Sequence, residues 1–153
     1  RLYNGKPLLN SVSGKDESLA KVLPLVKKYG AVVVGLALDD DGIPATAAGR
    51  LAIAEKIIAS AAEYGIEKRN IIIDPLALTI STGPDNAAVD LEVIRKLAEQ
   101  KIKTIMGVSN ISFGLPSRDA VNSLLWQWRR GFPALLSIRR VKRCWMLTMR
   151  TEL

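Results

Sequence analysis

The stretch Lys103-Thr-Ile-Met-Gly-Val-Ser-Asn-Ile-Ser-Phe-Gly-Leu-Pro116 decides the fold. An apolar strand, expected over 104–108, runs straight into small and polar residues able to meet a ligand: Gly107, Ser109, Asn110 and Ser112. Two other segments end alike, Pro7-Leu-Leu-Asn-Ser11 and Asn70-Ile-Ile-Ile-Asp-Pro75. Each sets one amide or carboxylate (Asn10, Asp74, Asn110) just past a short hydrophobic run. In a barrel of parallel strands, that is where binding and catalytic side chains gather.

Between these endings the pattern alternates. A strand is expected over 8–12. Residues 16–29 carry Leu19, Val22, Leu23 and Val26 at helical spacing, with Gly30 as the stop. The continuous apolar run 31–38 reads as a strand buried on both faces, closed by an Asp39-Asp-Asp-Gly42 turn. A helix over 47–64, a strand over 70–74, an extended segment over 76–81 with a Thr82-Gly-Pro84 turn, and a helix over 87–100 lead to the last strand. Alternating βα units predict a parallel sheet. Four units of roughly 25–40 residues fit half of a (β/α)8 barrel. A small doubly wound sheet is the structural alternative. Neither the G-x-G-x-x-G nor the G-x-x-x-x-G-K-[ST] phosphate loop is present.

Composition bounds the chemistry. At 153 residues the chain suits one domain and is too short for a complete (β/α)8 barrel. No apolar run approaches the ~20 residues of a membrane span. A single cysteine, Cys144, forms no internal disulfide, so a cytoplasmic setting is the default. With no histidine, Ser-His-Asp and Cys-His catalysis and His-ligated zinc are excluded from this stretch of chain. No metal ligands are assigned. The chemistry must rest on amides, carboxylates, hydroxyls, Lys or Arg.

The net charge of +7 is unevenly spread. From Val121 onward seven basic residues face one acid, leaving 15 basic against 14 acidic before it. All three tryptophans and the cysteine fall in the same closing segment. Composition therefore divides the chain into 1–123 and a basic tail, 124–153.

A buried carboxylate can accept two N–H groups from the donor edge of a flat heterocycle such as a pterin, and asparagine amides suit mixed edges. Asp74 and Asn10, expected at adjoining strand tips, are suited to this. Alone, an Asp before Pro after a strand is ordinarily a turn or cap residue. In order, however, Asn10-Ser11, Asn70-Ile-Ile-Ile-Asp-Pro75, Leu78-Thr-Ile-Ser-Thr-Gly83 and Gly107-Val-Ser-Asn-Ile-Ser-Phe113 resemble the pterin-binding, corrinoid-dependent methyltransferases. That family includes methyltetrahydrofolate:corrinoid protein methyltransferases and the folate domain of cobalamin-dependent methionine synthase. Dihydropteroate synthases, an alternative enzyme class, share the fold and the pterin-binding Asp but lack the Val-Ser-Asn-Ile-Ser segment.

The resemblance covers about 5–123 and implies a TIM (β/α)8 barrel, present here as a C-terminal partial barrel of about four βα units. It implies that the N5 methyl of 5-methyltetrahydrofolate passes to the cobalt of a corrinoid (cobalamin) carried by a partner protein or domain, leaving tetrahydrofolate. Asn10 and Asp74 match the pterin-holding positions. Asn110 matches the residue that bonds N5 and is the catalytic candidate, with Gly107 and Ser109 shaping the pocket beside it. Arg118 either faces the folate tail or is a solvated helix-start residue. The expected assembly is a homodimer of the full-length protein, with neither nucleic acid nor membrane as partner. The family's earlier βα units, with a further pterin-binding carboxylate, are expected upstream.

After Ser123 the resemblance stops. The family shows a Phe-Leu-Ala-Met-Ala-like helix, a strand ending in Asn-Pro and a Met-Asp-Ala-containing helix. This chain reads Leu124-Leu-Trp-Gln-Trp-Arg-Arg130. Shifted to start from the last base of the Leu125 codon, the coding sequence permits Leu-Ala-Met-Ala. Shifted the same way, Lys142-Arg-Cys-Trp-Met-Leu147 permits Lys-Glu-Met-Leu-Asp-Ala. A frame-shifted tail is the expectation. The competing function class is a binding module whose Trp- and Arg-rich tail meets nucleic acid or an anionic surface.

Overall fold

A computed structural model describes the backbone of residues 4–128, 135–137, 139–141 and 144–146, and the side chains of 4–107 and 109–123. Its sheet is built from β1 (Leu8–Ser13), β2 (Val32–Leu36), β3 (Ile71–Asp74), β4 (Lys103–Met106) and β5 (Leu135–Ser137). The strands lie side by side in chain order and every pairing is parallel. Helices α1 (Asp16–Tyr29), α2 (Ala47–Glu63) and α3 (Asn86–Glu99) form the crossovers, and a short 3-10 turn, Lys68–Asn70, leads into β3. After β4 come one turn of helix, α4 (Val108–Ile111), and then α5 (Arg118–Trp128). A separate antiparallel pair joins β6 (Arg139–Val141) to β7 (Cys144–Met146).

Winding in strict chain order bears on the two architectures the sequence allows. A doubly wound sheet reverses its strand order at a switch point, whereas a barrel wall keeps adding strands in one direction. The described sheet does the second.

Local signals explain the elements. α1 opens on Asp16 and Glu17 and ends on Lys27 and Lys28, matching the helix dipole at both ends. Gly30 closes it at φ +59°, a left-handed conformation that costs glycine little, while Ala31 N–H donates to the Val26 carbonyl. Thr46 caps α2 by accepting the Gly49 N–H at 3.2 Å. β2, β3 and β4 are one to three residues shorter than the apolar runs predict, because pairing stops before the hydrophobic pattern does, whereas β1 runs one residue further, to Ser13. Residues 107–111 curl into α4 instead of prolonging β4.

The sheet is buried on both faces. On one, Val33, Ile71 and Ile73 pack with Leu19, Leu23 and Val26 of α1, Ile53 and Ile57 of α2, and Val93 and Leu97 of α3. On the other, Val34, Ile72 and Ile105 cluster with Leu8, Val32 and Leu36. This accounts for the continuous apolar runs. Gly35 lets α2 approach closely: a Cβ there would lie 3.0 Å from Ile73 Cδ1 and 3.1 Å from Ile57 Cγ2.

The boundary expected after residue 123 falls within α5, which runs without interruption from Arg118 to Trp128. β5 then extends the parallel sheet beyond the four strands expected, through Thr104↔Leu135, Ile105↔Leu136 and Met106↔Ser137. The packing of Trp126, Trp128 and the tail arginines, where poor contacts are expected, lies outside the described side chains.

Ile57 is fully buried between α2 and β2. Ile57→Ala should destabilise the chain by about 2–5 kcal/mol, and Gly35→Val should overpack the same contact by about 1–3 kcal/mol. Urea denaturation followed by circular dichroism measures both.

Candidate active site

The parallel strands all point their C-terminal ends to one rim, and the candidate residues gather on the segments that leave it. Asp74 is the last residue of β3. Gly107 follows β4, and Ser109 and Asn110 lie on α4. Asn10 departs from expectation. It lies within β1, paired with Val34, and β2 separates β1 from β3. Asn10 and Asp74 are therefore not on adjoining strand tips. Register accounts for this: Val34 pairs with both Asn10 and Ile72, two residues before Asp74, so Asn10 sits lower on the same face of the sheet.

Asp74 is anchored at both ends. Its backbone carbonyl accepts the Ala37 N–H at 3.0 Å, and its Oδ1 accepts the Leu76 N–H at 2.9 Å. Leu76 adopts φ +60°, which turns the chain sharply after Pro75. Burial pushes the Asp74 carboxyl up to about 6, with the Leu76 N–H pulling the other way. At neutral pH it is ionised, an acceptor at the end of an apolar strand.

The loops after β3 and β4 are stitched together. Thr79 Oγ1 and Ser81 Oγ both donate to the Phe113 carbonyl, at 2.6 and 3.0 Å, and the Ile80 N–H reaches the Ile111 carbonyl. The Leu78-Thr-Ile-Ser-Thr-Gly83 segment thus supports the loop that carries Asn110. Gly107 serves the same loop, since a Cβ on it would come within 3.2 Å of Asn110 Nδ2. The Asn110 side chain is exposed to solvent, able to meet a ligand.

Arg118 is the first residue of α5. Its Nη2 donates to the Ser109 carbonyl and to Ser109 Oγ, at 2.8 and 2.9 Å, and its Nε donates to Ser112 Oγ at 3.2 Å. The guanidinium also lies 5.8 Å from the centre of the Phe113 ring. It therefore braces the Ser109–Ser112 turn, and Ser109 is held in place by it.

Two residues were missed by sequence reasoning. Arg50 of α2 and Asp90 of α3 are 0% and 1% exposed and form an ion pair behind the β3 rim. A signal for both is present. Arg50 lies at helical spacing with Ile53, Ala54 and Ile57, and Asp90 with Val93, Ile94 and Leu97, so each charge sits on an apolar helix face. Among the described residues, no cluster of His, Cys, Asp and Glu could hold a metal ion, and no helix is long and apolar enough to cross a membrane.

Comparison with known proteins places the chain in a family. The profile of the pterin binding enzyme family matches residues 2–137. The chain is 36% identical over 134 residues to methionine synthase of Mycobacterium tuberculosis (strain ATCC 25618 / H37Rv), covering 78% of this chain and 11% of that protein. Methionine synthase of Mycobacterium leprae (strain TN) matches at 35% over 134 residues, with the same coverage. Methylcorrinoid:tetrahydrofolate methyltransferase of Eubacterium limosum is 32% identical over 120 residues, covering 75% of this chain and 44% of that enzyme. The chain thus spans about a tenth of the two methionine synthases and less than half of the Eubacterium limosum enzyme. With this profile matching most of its length, the chain belongs to the pterin binding enzyme family.

Proposed function

We propose that this chain is part of a methyltransferase that moves the N5 methyl group of 5-methyltetrahydrofolate to the cobalt of a corrinoid held by a partner protein or domain. The observation that carries the reading is the pairing of Asp74, a half-buried and ionised acceptor, with Asn110, an exposed amide on the next strand's exit loop. The names of the relatives, methionine synthase and methylcorrinoid:tetrahydrofolate methyltransferase, fit it. In this reading the described βα units are the C-terminal part of a (β/α)8 barrel, and the full-length protein works as a homodimer.

Oδ1 of Asp74 is engaged by Leu76, leaving Oδ2 and the remaining lone pair of Oδ1 for the amino and amide N–H groups of the pterin edge. Asn10, lower on the same sheet face, meets the mixed edge of the ring. Asn110 directs its amide to N5, while Gly107 and Ser109 shape the space beside it. Arg118 holds Ser109 and from the same place can face the folate tail. When bound by its partner, the corrinoid would supply a Co(I) nucleophile able to accept the methyl group. N5 is a poor leaving group until it takes up a proton from solvent. It then keeps the electron pair of the broken N–CH3 bond and leaves as the neutral N5–H of tetrahydrofolate, its positive character in the transition state being that of the protonated amine. A hydrogen bond that strengthens as that character develops lowers the barrier more than it strengthens ground-state binding.

The proposal rests on residues 1–123. For 124–153 we propose a shift of reading frame, supported by the family-like sequences that the shifted codons permit. Sequencing the gene tests it: the expected result is a frame reading Leu-Ala-Met-Ala near codon 126 and Met-Leu-Asp-Ala near codon 145. A gene without that reading leaves a true basic tail.

The roles of Asp74 and Asn110 separate kinetically. Asn110→Ala should lower single-turnover methyl transfer by about 10²-fold or more at saturating folate, with a smaller loss of affinity. Asp74→Ala should weaken folate binding more than the chemical step. Both are measured in the polypeptide that carries this chain together with its remaining barrel units. Transfer at the parent rate by saturated Asn110→Ala overturns the role given to that residue.

Ionisation of Asp74 sets a pH dependence. Only the carboxylate accepts two N–H groups, so folate affinity should rise as pH climbs through about 6 and level off above it. The stability effect has the opposite sign. The folded-state carboxyl titrates above the unfolded value of 3.8, so its contribution is fully present below that value and is lost as pH rises through about 6. Asp74→Asn should therefore bind folate poorly with a flattened pH profile, yet gain about 1–3 kcal/mol of stability at pH 7. Calorimetric titration and urea melts from pH 4 to 8 measure the two effects.

A further inference from the structure

Arg50 and Asp90 are used by neither the pterin contacts nor the methyl transfer, yet they are the most deeply buried charges among the described residues. Burying an arginine–carboxylate pair is costly, and a well-packed apolar pair of similar volume is often as stable or more so. The pair is also incompletely satisfied. Arg50 Nη2 and Asp90 Oδ2 are both buried and make no hydrogen bond among the described residues. Maximal stability therefore does not explain it.

What a guanidinium does that a hydrocarbon cannot is aim several donors in fixed directions. Arg50 Nε donates to the Pro44 carbonyl at 2.8 Å, on the loop after β2. Its Nη1 contacts Asp90 Oδ1 and donates to the Pro75 and Leu76 carbonyls at 3.1 and 3.4 Å. Pro75 and Leu76 directly follow Asp74, and the Leu76 N–H is the group that holds the Asp74 carboxylate. One side chain on α2, tied down by α3, thus fixes two successive rim loops and the residue that orients the site carboxylate. Asp90 is close enough to Asp74 for the second charge to push the Asp90 carboxyl further up, although burial is the larger cause and Arg50 opposes both.

We propose that Arg50 and Asp90 are a positioning pair: by clamping the Pro75 and Leu76 carbonyls they hold the Asp74 carboxylate in the orientation that binds the pterin edge. The inference rests on the proposed folate function for its ligand, but its geometric part is independent of that function.

Arg50→Lys keeps the positive charge and loses the fork, and Asp90→Asn keeps the shape and loses the counter-charge. Either should weaken binding of tetrahydrofolate, the probe, about tenfold or more. The pair acts through Asp74, so the losses should not add: Arg50→Lys placed on Asp74→Asn should weaken binding little beyond Asp74→Asn alone. Independently of any ligand, hydrogen exchange at the Leu76 amide should speed up about tenfold or more in the single variants, with exchange in the α1 and β2 core unchanged. If Arg50→Lys does not fold, Asp90→Asn carries both measurements. Additive affinity losses, or an unchanged Leu76 amide, overturn the positioning role. A parent protein that binds no tetrahydrofolate overturns the proposed function, and the Leu76 exchange then decides the positioning by itself.

Discussion

The site depends first on a constraint of parallel pairing. Strands joined by helical crossovers all run the same way, so their C-terminal ends share one rim and the residues that follow them become neighbours across the sheet. Here the constraint acts through apolar faces. Val33, Ile71 and Ile73 fasten the strands to the helices, while Val34, Ile72 and Ile105 fill the opposite side. A one-residue slip of β3 would exchange its contributions to these two sets and carry Asp74 to the helix side. The position of the carboxylate is thus inherited from isoleucine and valine packing in the body of the sheet.

Charge is then admitted at few places, and each is held. Asp74 stands at the end of an apolar strand where burial opposes its ionisation, and the Leu76 N–H partly offsets that cost. Behind it, Arg50 and Asp90 place a fully buried cation and anion at the junction of α2, α3 and the rim loops. In surroundings of low polarity such groups interact strongly and tolerate little displacement, which restricts the loops they touch to few arrangements. The loop bearing Asn110 is held by weaker means. Hydroxyls of Thr79 and Ser81 and the guanidinium of Arg118 clasp it from either side, all near solvent. A firm acceptor beside a more yielding donor suits a ligand gripped at one edge and changed chemically at another.

The relatives place this arrangement within larger proteins. The methionine synthases are many times longer than the matched region, and the Eubacterium limosum enzyme is more than twice its length. Proteins so different in size each contain a stretch similar to this chain.

The sequence by itself determined the alternation of strands and helices, the parallel pairing and the identities of Asp74 and Asn110 as rim residues, because apolar periodicity and helix stops are local properties. It also carried the family, through the ordered segments ending at Asp74 and around Asn110. Only tertiary structure decided that the sheet winds in one direction, since strand order depends on which faces the helices cover. Register alone placed Asn10 within β1 with β2 between it and Asp74. The Arg50–Asp90 pair belongs to the same class: each charge is visible on an apolar helix face, but the 40 residues that separate them conceal that they meet. A hydrogen bond between distant segments has no local signature, so the orientation of Asp74 was settled by the fold.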